Sequence, residues 1–141
     1  MLTQTAQYAL RTVLWLAAAG GERQTVEQLA DALDVPQNYL SKTLHQLARA
    51  GVVESTRGKH GGFSLGRAPA RITLREVVAP FQELGQRTCL LGRATCSDRH
   101  ACAAHTHWKA VSEQVAAFFT RTTVAELLAT PAGSAGIHPK L

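Results

Sequence analysis

The sequence predicts a mostly helical protein that carries one small β-hairpin and ends in a long helix. Two observations lead to this prediction. Apolar residues recur at helical spacing in three segments within residues 1–50 and again over about 103–129. Between these stretches, two short runs of strand-forming residues flank a glycine-rich connection, which is the pattern of a hairpin. The 141 residues suit one domain, or a small head with an appended helix.

Start and stop signals bound the first three helices. The first is expected over about 3–19 and ends at a pair of glycines. Thr25 opens the second, because its hydroxyl and the Gln28 side chain can form a capping box. The third begins at Pro36 and ends near Gly51, which suits a C-terminal cap. A tight turn joins the second and third helices, so together they make a helix-turn-helix.

The segment after the third helix is expected to form a wing. Strands at 52–55 and 63–65 are joined by the connection 57–62, which contains Arg57 and Lys59. The third helix should bury its leucines and turn its polar side chains outward; these are Asn38, Ser41, Lys42, His45 and Arg49. The result is a winged helix-turn-helix, an arrangement suited to binding DNA.

The formal net charge of +5 is concentrated in one stretch. Between Pro36 and Arg75 the acidic residue Glu54 is outnumbered by basic residues, which are Lys42, Arg49, Arg57, Lys59, Arg67, Arg71 and Arg75. The rest of the chain is close to neutral, so this block predicts a polyanionic partner such as double-stranded DNA. The plainer alternative is a solvated basic face without a partner.

The second half of the chain contains two further helical segments. Thr73 and Glu76 form a second capping box, which opens a short helix that Pro80 should end or bend. The stretch over about 103–129 then carries a bulky apolar stripe, made of Trp108, Val111, Val115, Phe118, Phe119, Val124, Leu127 and Leu128. Such a stripe needs a cover, which is the first helix of the same chain, a second subunit, or both.

A short segment between the two halves, CLLGRATCSDRHACAAH, holds every cysteine of the chain. Its thiol and imidazole donors are Cys89, Cys96, Cys102 and His105. Thiolates and imidazoles bind both zinc and iron–sulfur clusters. If a helix begins near Cys102, the side chains of Cys102 and His105 project from one face. His100 and His107 are alternative ligands, and three reduced cysteines in a surface loop are the alternative to any metal site.

These features together resemble the Rrf2 family of bacterial winged-helix regulators, which includes the iron–sulfur cluster regulator and the nitric-oxide-sensing repressor. The resemblance extends from the opening LTQTAQYALR to the last helix, and the string NYLSKTLHQLARAGVVESTRGKHGGFSL is its most specific part. It implies a homodimer that binds a pseudo-palindromic operator.

Single residues can be carried over from that resemblance. Asn38 and Ser41 fall where the family's recognition helix touches base edges, and Arg57 falls where the family reaches into a minor groove. The three cysteines and His105 look like the ligand set of the cluster-biosynthesis branch, with a first gap of six residues that is one longer than usual. Gln7 stands where the nitric-oxide-sensing branch has an aspartate ligand. The resemblance therefore favours [2Fe–2S] over [4Fe–4S].

We therefore expect a cytoplasmic transcription regulator, such as a repressor, that senses iron–sulfur, redox or nitric-oxide status through a cluster. The alternative is a winged-helix regulator with a zinc or thiol-based switch and no cluster. An enzyme is not expected, because Asp98 and Glu113 show no arrangement with His105 that suggests acid–base chemistry and the chain has no phosphate loop.

The expected organisation has four parts. A DNA-binding domain spans 1–84, a sensor loop 85–104, a dimerisation helix 105–130 and a flexible tail 131–141. No signal peptide is recognisable, and no run approaches the roughly 20 apolar residues needed to span a bilayer, so no membrane partner is expected.

Overall fold

The computed structural model describes residues 2–84 and 89–131. Within them the helices are α1 Gln4–Ala18, α2 Val26–Leu33, α3 Gln37–Arg49, α4 Leu74–Val78, α5 His105–Arg121 and α6 Val124–Leu128. The strands are β1 Val53–Thr56 and β2 Gly62–Leu65, and short 3-10 turns lie at Pro69–Arg71 and Asp98–His100. The described residues are therefore mostly helical with one two-stranded antiparallel hairpin, as predicted.

The helix-turn-helix forms as its capping signals predict. The Thr25 hydroxyl accepts a hydrogen bond from the backbone N–H of Gln28, and the Gln28 side chain accepts one from the backbone N–H of Thr25. Gly51 follows α3 with a φ of +72°, a conformation that glycine adopts without strain. The leucine stripe of α3 is fully buried; its members are Leu40, Leu44 and Leu47.

The wing is anchored to the head through the first residues of β2. β1 and β2 pair from Val53 opposite Leu65 to Thr56 opposite Gly62. Gln24 adds a third short strand position, since its backbone N–H donates to the Phe63 carbonyl at 3.0 Å and its carbonyl accepts from the Phe63 N–H at 2.8 Å. These bonds fix the beginning of β2 against the segment that precedes α2.

The prediction of one long C-terminal helix is wrong, because the structure has two helices there. The backbone of Thr122 and Thr123 is extended, and Thr123 bridges to Thr73. The Leu74 N–H donates to the Thr122 carbonyl at 3.0 Å, and the Val124 N–H donates to the Ile72 carbonyl at 2.9 Å. Because this pairing and α-helical geometry are incompatible, α5 ends and α6 restarts. The expected dimerisation helix over 105–130 is therefore interrupted.

A third capping box opens α6. The Thr123 hydroxyl accepts from the backbone N–H of Glu126, and a Glu126 carboxylate oxygen accepts from the backbone N–H of Thr123 at 2.6 Å. The sequence already contains this signal, since Thr123 and Glu126 have the same spacing as Thr73 and Glu76.

The break divides the predicted apolar stripe into two sets. Phe119 and Val124 are buried in the core of the monomer, with exposures of 6% and 0%. Val111, Val115 and Phe118 remain exposed at 49%, 37% and 50%. Phe119 is therefore a core residue, and the three exposed residues are the uncovered part of the stripe.

Two further expectations concern a membrane-spanning helix and the C-terminal tail. No helix among them is long and apolar enough to cross a membrane. Most of the tail expected to be flexible, from residue 132 onward, lies outside the described residues.

The cap of α6 gives a stability prediction. Thr123→Ala leaves the Glu126 N–H without its side-chain acceptor, so the free energy of unfolding should fall by about 1 kcal/mol. Thr120→Ala, at an exposed position on α5, is the matched control and should change it by less than about 0.5 kcal/mol. Urea denaturation of both variants measures the difference. Equal losses in the two variants would show that the cap contributes nothing specific.

Candidate DNA-binding surface and cysteine–histidine site

The outer face of α3 presents the residues that the sequence analysis selected. Asn38, Lys42, His45 and Arg49 are exposed, and Ser41 is half-buried. Lys42, His45 and Arg49 line one shallow concavity on this face. The face therefore offers cations and uncharged hydrogen-bonding groups side by side.

His45 connects this helix to the wing. One ring nitrogen, Nδ1, lies 2.7 Å from the Ser41 carbonyl; since a carbonyl can only accept, Nδ1 carries the proton and donates. The ring also meets Phe63 of β2 edge to face, with centroids 6.4 Å apart. The ring contact therefore links the outer face of α3 to the wing.

Sequence reasoning did not select Tyr39, which is 57% exposed beside Asn38 at the start of α3. A sequence signal was available, because Tyr39 lies outside the leucine stripe of the helix. Its hydroxyl is a further group able to contact a phosphate oxygen.

One cation of the basic block predicted from the sequence is paired with a carboxylate. Arg67 belongs to the basic block, but its Nη1 lies 3.0 Å from Oε1 of Glu76 and donates to it. Arg57 and Lys59 are exposed in the turn between β1 and β2. Among the described residues, no carboxylate forms an ion pair with the cations of α3 or of the wing tip. Their positive charge is therefore available to a partner.

The cysteine segment brings its four donors together as two pairs. The sulfurs of Cys89 and Cys102 lie 3.9 Å apart. The Cys96 sulfur lies 3.5 Å from Nδ1 of His105. No three histidine, cysteine or acidic side chains in residues 2–84 and 89–131 are grouped so that they could hold one metal ion. The structure thus arranges the four predicted donors as two separate pairs.

Cys89 is the best-supported thiolate of the three. The backbone N–H groups of Arg93 and Leu91 donate to its sulfur and hold the pKa of the Cys89 thiol below its ordinary value, against the opposing effect of burial. Its exposure is 6%, but it lies outside the main apolar core. The Cys89 thiol therefore loses its proton more readily than an ordinary cysteine thiol, and the thiolate is the form that binds metals.

His105 lies at the very start of α5. Its backbone N–H donates to the Cys102 carbonyl at 2.9 Å, and the first helical residue is His105 itself. The expectation that Cys102 and His105 share one helical face is therefore wrong, because Cys102 precedes the helix. His100 and His107 are exposed, and of these three histidines the structure brings only His105 to a cysteine sulfur in the described residues.

One sequence-based statement about the carboxylates is also wrong. Asp98 does approach His105, with its Oδ1 2.7 Å from the ring nitrogen Nε2. The contact joins the 3-10 turn to the first turn of α5, and sequence spacing alone does not reveal it. Gln7 is exposed and donates its amide to the Leu2 carbonyl at 3.1 Å.

The family model that describes Rrf2 iron-dependent transcriptional regulators matches residues 2–130. The chain belongs to the Rrf2 family. The predicted resemblance is confirmed, and with it the conclusion that the protein is a transcription regulator rather than an enzyme.

Relatives of known sequence support the same assignment. An HTH-type transcriptional regulator of Aquifex aeolicus is 32% identical to this chain over 131 residues, which is 91% of each chain. The HTH-type transcriptional regulator IscR of Vibrio atlanticus is 29% identical over 128 residues, covering 90% of this chain and 74% of its own.

Solved structures share the fold. CymR, the global cysteine regulator of B. subtilis, superimposes with a TM-score of 0.77 at 22% identity, covering 90% of this chain and 95% of its own. IscR of T. potens gives 0.72 at 19% identity, covering 91% and 85%. At these identities the likeness establishes the winged-helix fold of Rrf2 regulators, and membership of a regulator family implies binding to DNA.

Proposed function

We propose that this Rrf2-family protein is a cytoplasmic homodimeric regulator that binds a pseudo-palindromic operator and senses iron–sulfur, redox or nitric-oxide status. In this proposal α3 and the wing bind DNA, and Cys89, Cys96, Cys102 and His105 hold a cluster, with [2Fe–2S] favoured over [4Fe–4S]. The observation that carries the sensing role is the arrangement of the four donors in two close pairs.

The DNA-binding role rests on unpaired charge beside groups able to recognise bases. An asparagine side chain can form two hydrogen bonds to the edge of an adenine in the major groove, which makes Asn38 the favoured reader of sequence. Lys42, Arg49 and Lys59 are suited to phosphates, which position the protein without reading sequence. Arg57 at the start of the wing is suited to a minor groove.

The homodimer rests on the apolar residues that α5 leaves uncovered. Val111, Val115 and Phe118 follow one another at helical spacing of four and three residues, so they form one stripe on α5. Exposed at 37% to 50%, they cost free energy in water that a second α5 could recover by covering them. Two heads also suit an operator with two half-sites one helical turn apart.

The distance within each donor pair is close to that of two ligands on one iron. Each iron of a [2Fe–2S] cluster takes two protein ligands. A tetrahedral metal with thiolate bonds of about 2.3 Å holds two sulfurs about 3.8 Å apart, and a sulfur and an imidazole nitrogen about 3.6 Å apart. The observed separations are 3.9 Å for Cys89 and Cys102, and 3.5 Å for Cys96 and His105. Each pair is therefore spaced for one iron, and a cluster there would supply redox and nitric-oxide chemistry.

Zinc is the less favoured cofactor. A structural zinc ion takes four ligands around one centre. The described side chains form two pairs rather than one group of four, so a zinc site requires one pair to move toward the other.

A thiol switch is the second candidate function. It is favoured by one observation, the acidic Cys89 thiol with Cys102 at 3.9 Å. A thiolate attacks a peroxide to give a sulfenic acid, and a neighbouring thiol then forms the disulfide and releases water. Staphylococcus aureus CymR, which shares this fold at 19% identity, has a solved structure of its oxidized form.

The DNA-binding proposal predicts two kinds of loss. Asn38→Ala should cost about 1–3 kcal/mol at one base position and relax specificity there, because only that base edge loses its hydrogen bonds. Lys59→Ala should weaken binding to all sequences alike and reduce the salt slope by about 1. Arg121→Ala, an exposed cation on α5, is the control. Fluorescence anisotropy against a selected operator and random duplex checks both; equal affinity of the unmodified protein for the two duplexes would contradict sequence-specific binding.

The dimer proposal predicts that a charge in the exposed stripe separates the subunits. Val115→Glu and Phe118→Glu should give folded monomers, because a buried carboxylate in the seam lacks a partner. Thr120→Glu places the same charge on the opposite side of α5 and should leave the dimer intact. Analytical ultracentrifugation with circular dichroism distinguishes these outcomes. A native mass of one chain for the unmodified protein at micromolar concentration would rule the dimer out.

The cluster proposal predicts a brown protein after anaerobic purification, with iron and acid-labile sulfide in equal amounts. Changing each cysteine in turn to alanine should abolish the colour without unfolding the chain, because Cys89 lies outside the main core and the other two are only half-buried. His105→Ala should make the cluster labile, and His100→Ala and His107→Ala are the matched controls. Protein that stays colourless after reconstitution, or that holds zinc without sulfide, would contradict a cluster.

A further inference from the structure

Asp98 contacts the one donor of the site that is not a sulfur. Its Oδ1 lies 2.7 Å from Nε2 of His105, while the other ring nitrogen, Nδ1, faces the Cys96 sulfur at 3.5 Å. The His105 side chain is 7% exposed and the Asp98 side chain is 59% exposed. A shielded imidazole is thus held between a solvated carboxylate on one side and a thiol on the other.

We infer that Asp98 is a positioning residue that keeps the proton of neutral His105 on Nε2 and so makes Nδ1 the ligand atom of the cluster site. The ligand role of His105 rests on the function proposed above. An ionised carboxylate can only accept, so the ring nitrogen that faces it must donate. The lone pair of a neutral imidazole is then on Nδ1, the atom that faces Cys96.

Lys109 holds the carboxylate in place. Its Nζ lies 3.0 and 3.1 Å from the two oxygens of Asp98. His105 and Lys109 are one turn apart on α5, so both face the same side of the helix. The Asp98 carboxylate therefore spans the first turn of α5. As an exposed ion pair, the contact with Lys109 adds little stability, so the effect of the arrangement is on orientation rather than on folding.

This arrangement has a chemical consequence for a bound cluster. A carboxylate that accepts from the far nitrogen of a metal-bound imidazole fixes the ring and raises its basicity, and loss of such a partner typically weakens metal binding about 10–100-fold. Stronger donation from the imidazole stabilises oxidised iron. Removing the charge of Asp98 should therefore raise the reduction potential of the cluster.

The first test uses the metal-free protein and needs no cluster. In protein labelled with ¹⁵N at histidine, nitrogen chemical shifts at about pH 8, where ordinary imidazoles are neutral, report which nitrogen of His105 carries the proton. We expect the proton on Nε2 in the unmodified protein, where the Asp98 carboxylate can only accept. Asp98→Ala should give a mixture of both tautomers. A proton on Nδ1 in the unmodified protein, or an unchanged tautomer in Asp98→Ala, would overturn the inference.

The second test uses protein reconstituted with iron and sulfide. Loss of cluster colour to an excess of an iron chelator should be about 10–100-fold faster in Asp98→Ala than in the unmodified protein. Asp98→Asn should show a raised reduction potential, because the negative charge beside the ring is lost in a side chain of nearly the same size. Glu113→Gln removes an equal charge from α5 and should leave both measurements unchanged. Equal potentials in Asp98→Asn and Glu113→Gln would overturn the role of the charge.

The two tests separate the inference from the function on which it rests. A protein that cannot be reconstituted contradicts the cluster, whereas the tautomer of His105 in metal-free protein still decides whether Asp98 positions the ring.

Discussion

Two backbone hydrogen bonds determine how the second half of the chain is arranged. They join Leu74 to Thr122 and Ile72 to Val124, and they force an extended segment between α5 and α6. Because backbone groups buried without partners are costly, this pairing overrides the helical periodicity that continues through the same residues. It turns α6 back against the head and buries Phe119. The same turn leaves Val111, Val115 and Phe118 facing solvent, so the proposed dimer seam depends on where α5 is made to end.

The other end of α5 begins in the cysteine segment. His105 is its first residue, and the contacts of His105 with Cys102, Cys96 and Asp98 tie the loop to the first turn of the helix. One helix therefore connects the proposed cluster ligands, the proposed dimer seam and the head. In the proposed function, a change in the ligands acts on DNA binding only if a bound cluster favours one arrangement of the two heads over another. A single rigid helix is a direct physical route for such a preference.

Local signals explain what the sequence could predict. Capping boxes and apolar spacing placed α1 to α4 and the outer face of α3, because these features depend on residues within one or two turns. The missed break at Thr122 depends on pairing with residues near Thr73, almost fifty positions away, although the Thr123–Glu126 spacing offered a local clue. The ion pair of Arg67 with Glu76 and the contact of Asp98 with His105 are likewise tertiary. The cysteine triplet identified the donors, but only the folded loop sorts them into pairs.

That sorting bears on the two candidate sensing chemistries, because Cys89 and Cys102 belong to both. As ligands of one iron, their sulfurs are thiolates whose lone pairs are engaged by the metal. As a thiol switch, the same two sulfurs lose two electrons and two protons to a peroxide and form one bond to each other. A bound cluster therefore excludes the disulfide, and a disulfide removes both ligands of one iron. The lowered pKa of the Cys89 thiol favours either outcome, since metal binding and peroxide reduction both use the thiolate. The pair formed by His105 and Cys96 distinguishes the two chemistries. A disulfide between Cys89 and Cys102 does not require an imidazole with Nδ1 toward a third cysteine, whereas a second iron requires two further ligands. The arrangement of that second pair is the reason to prefer the cluster.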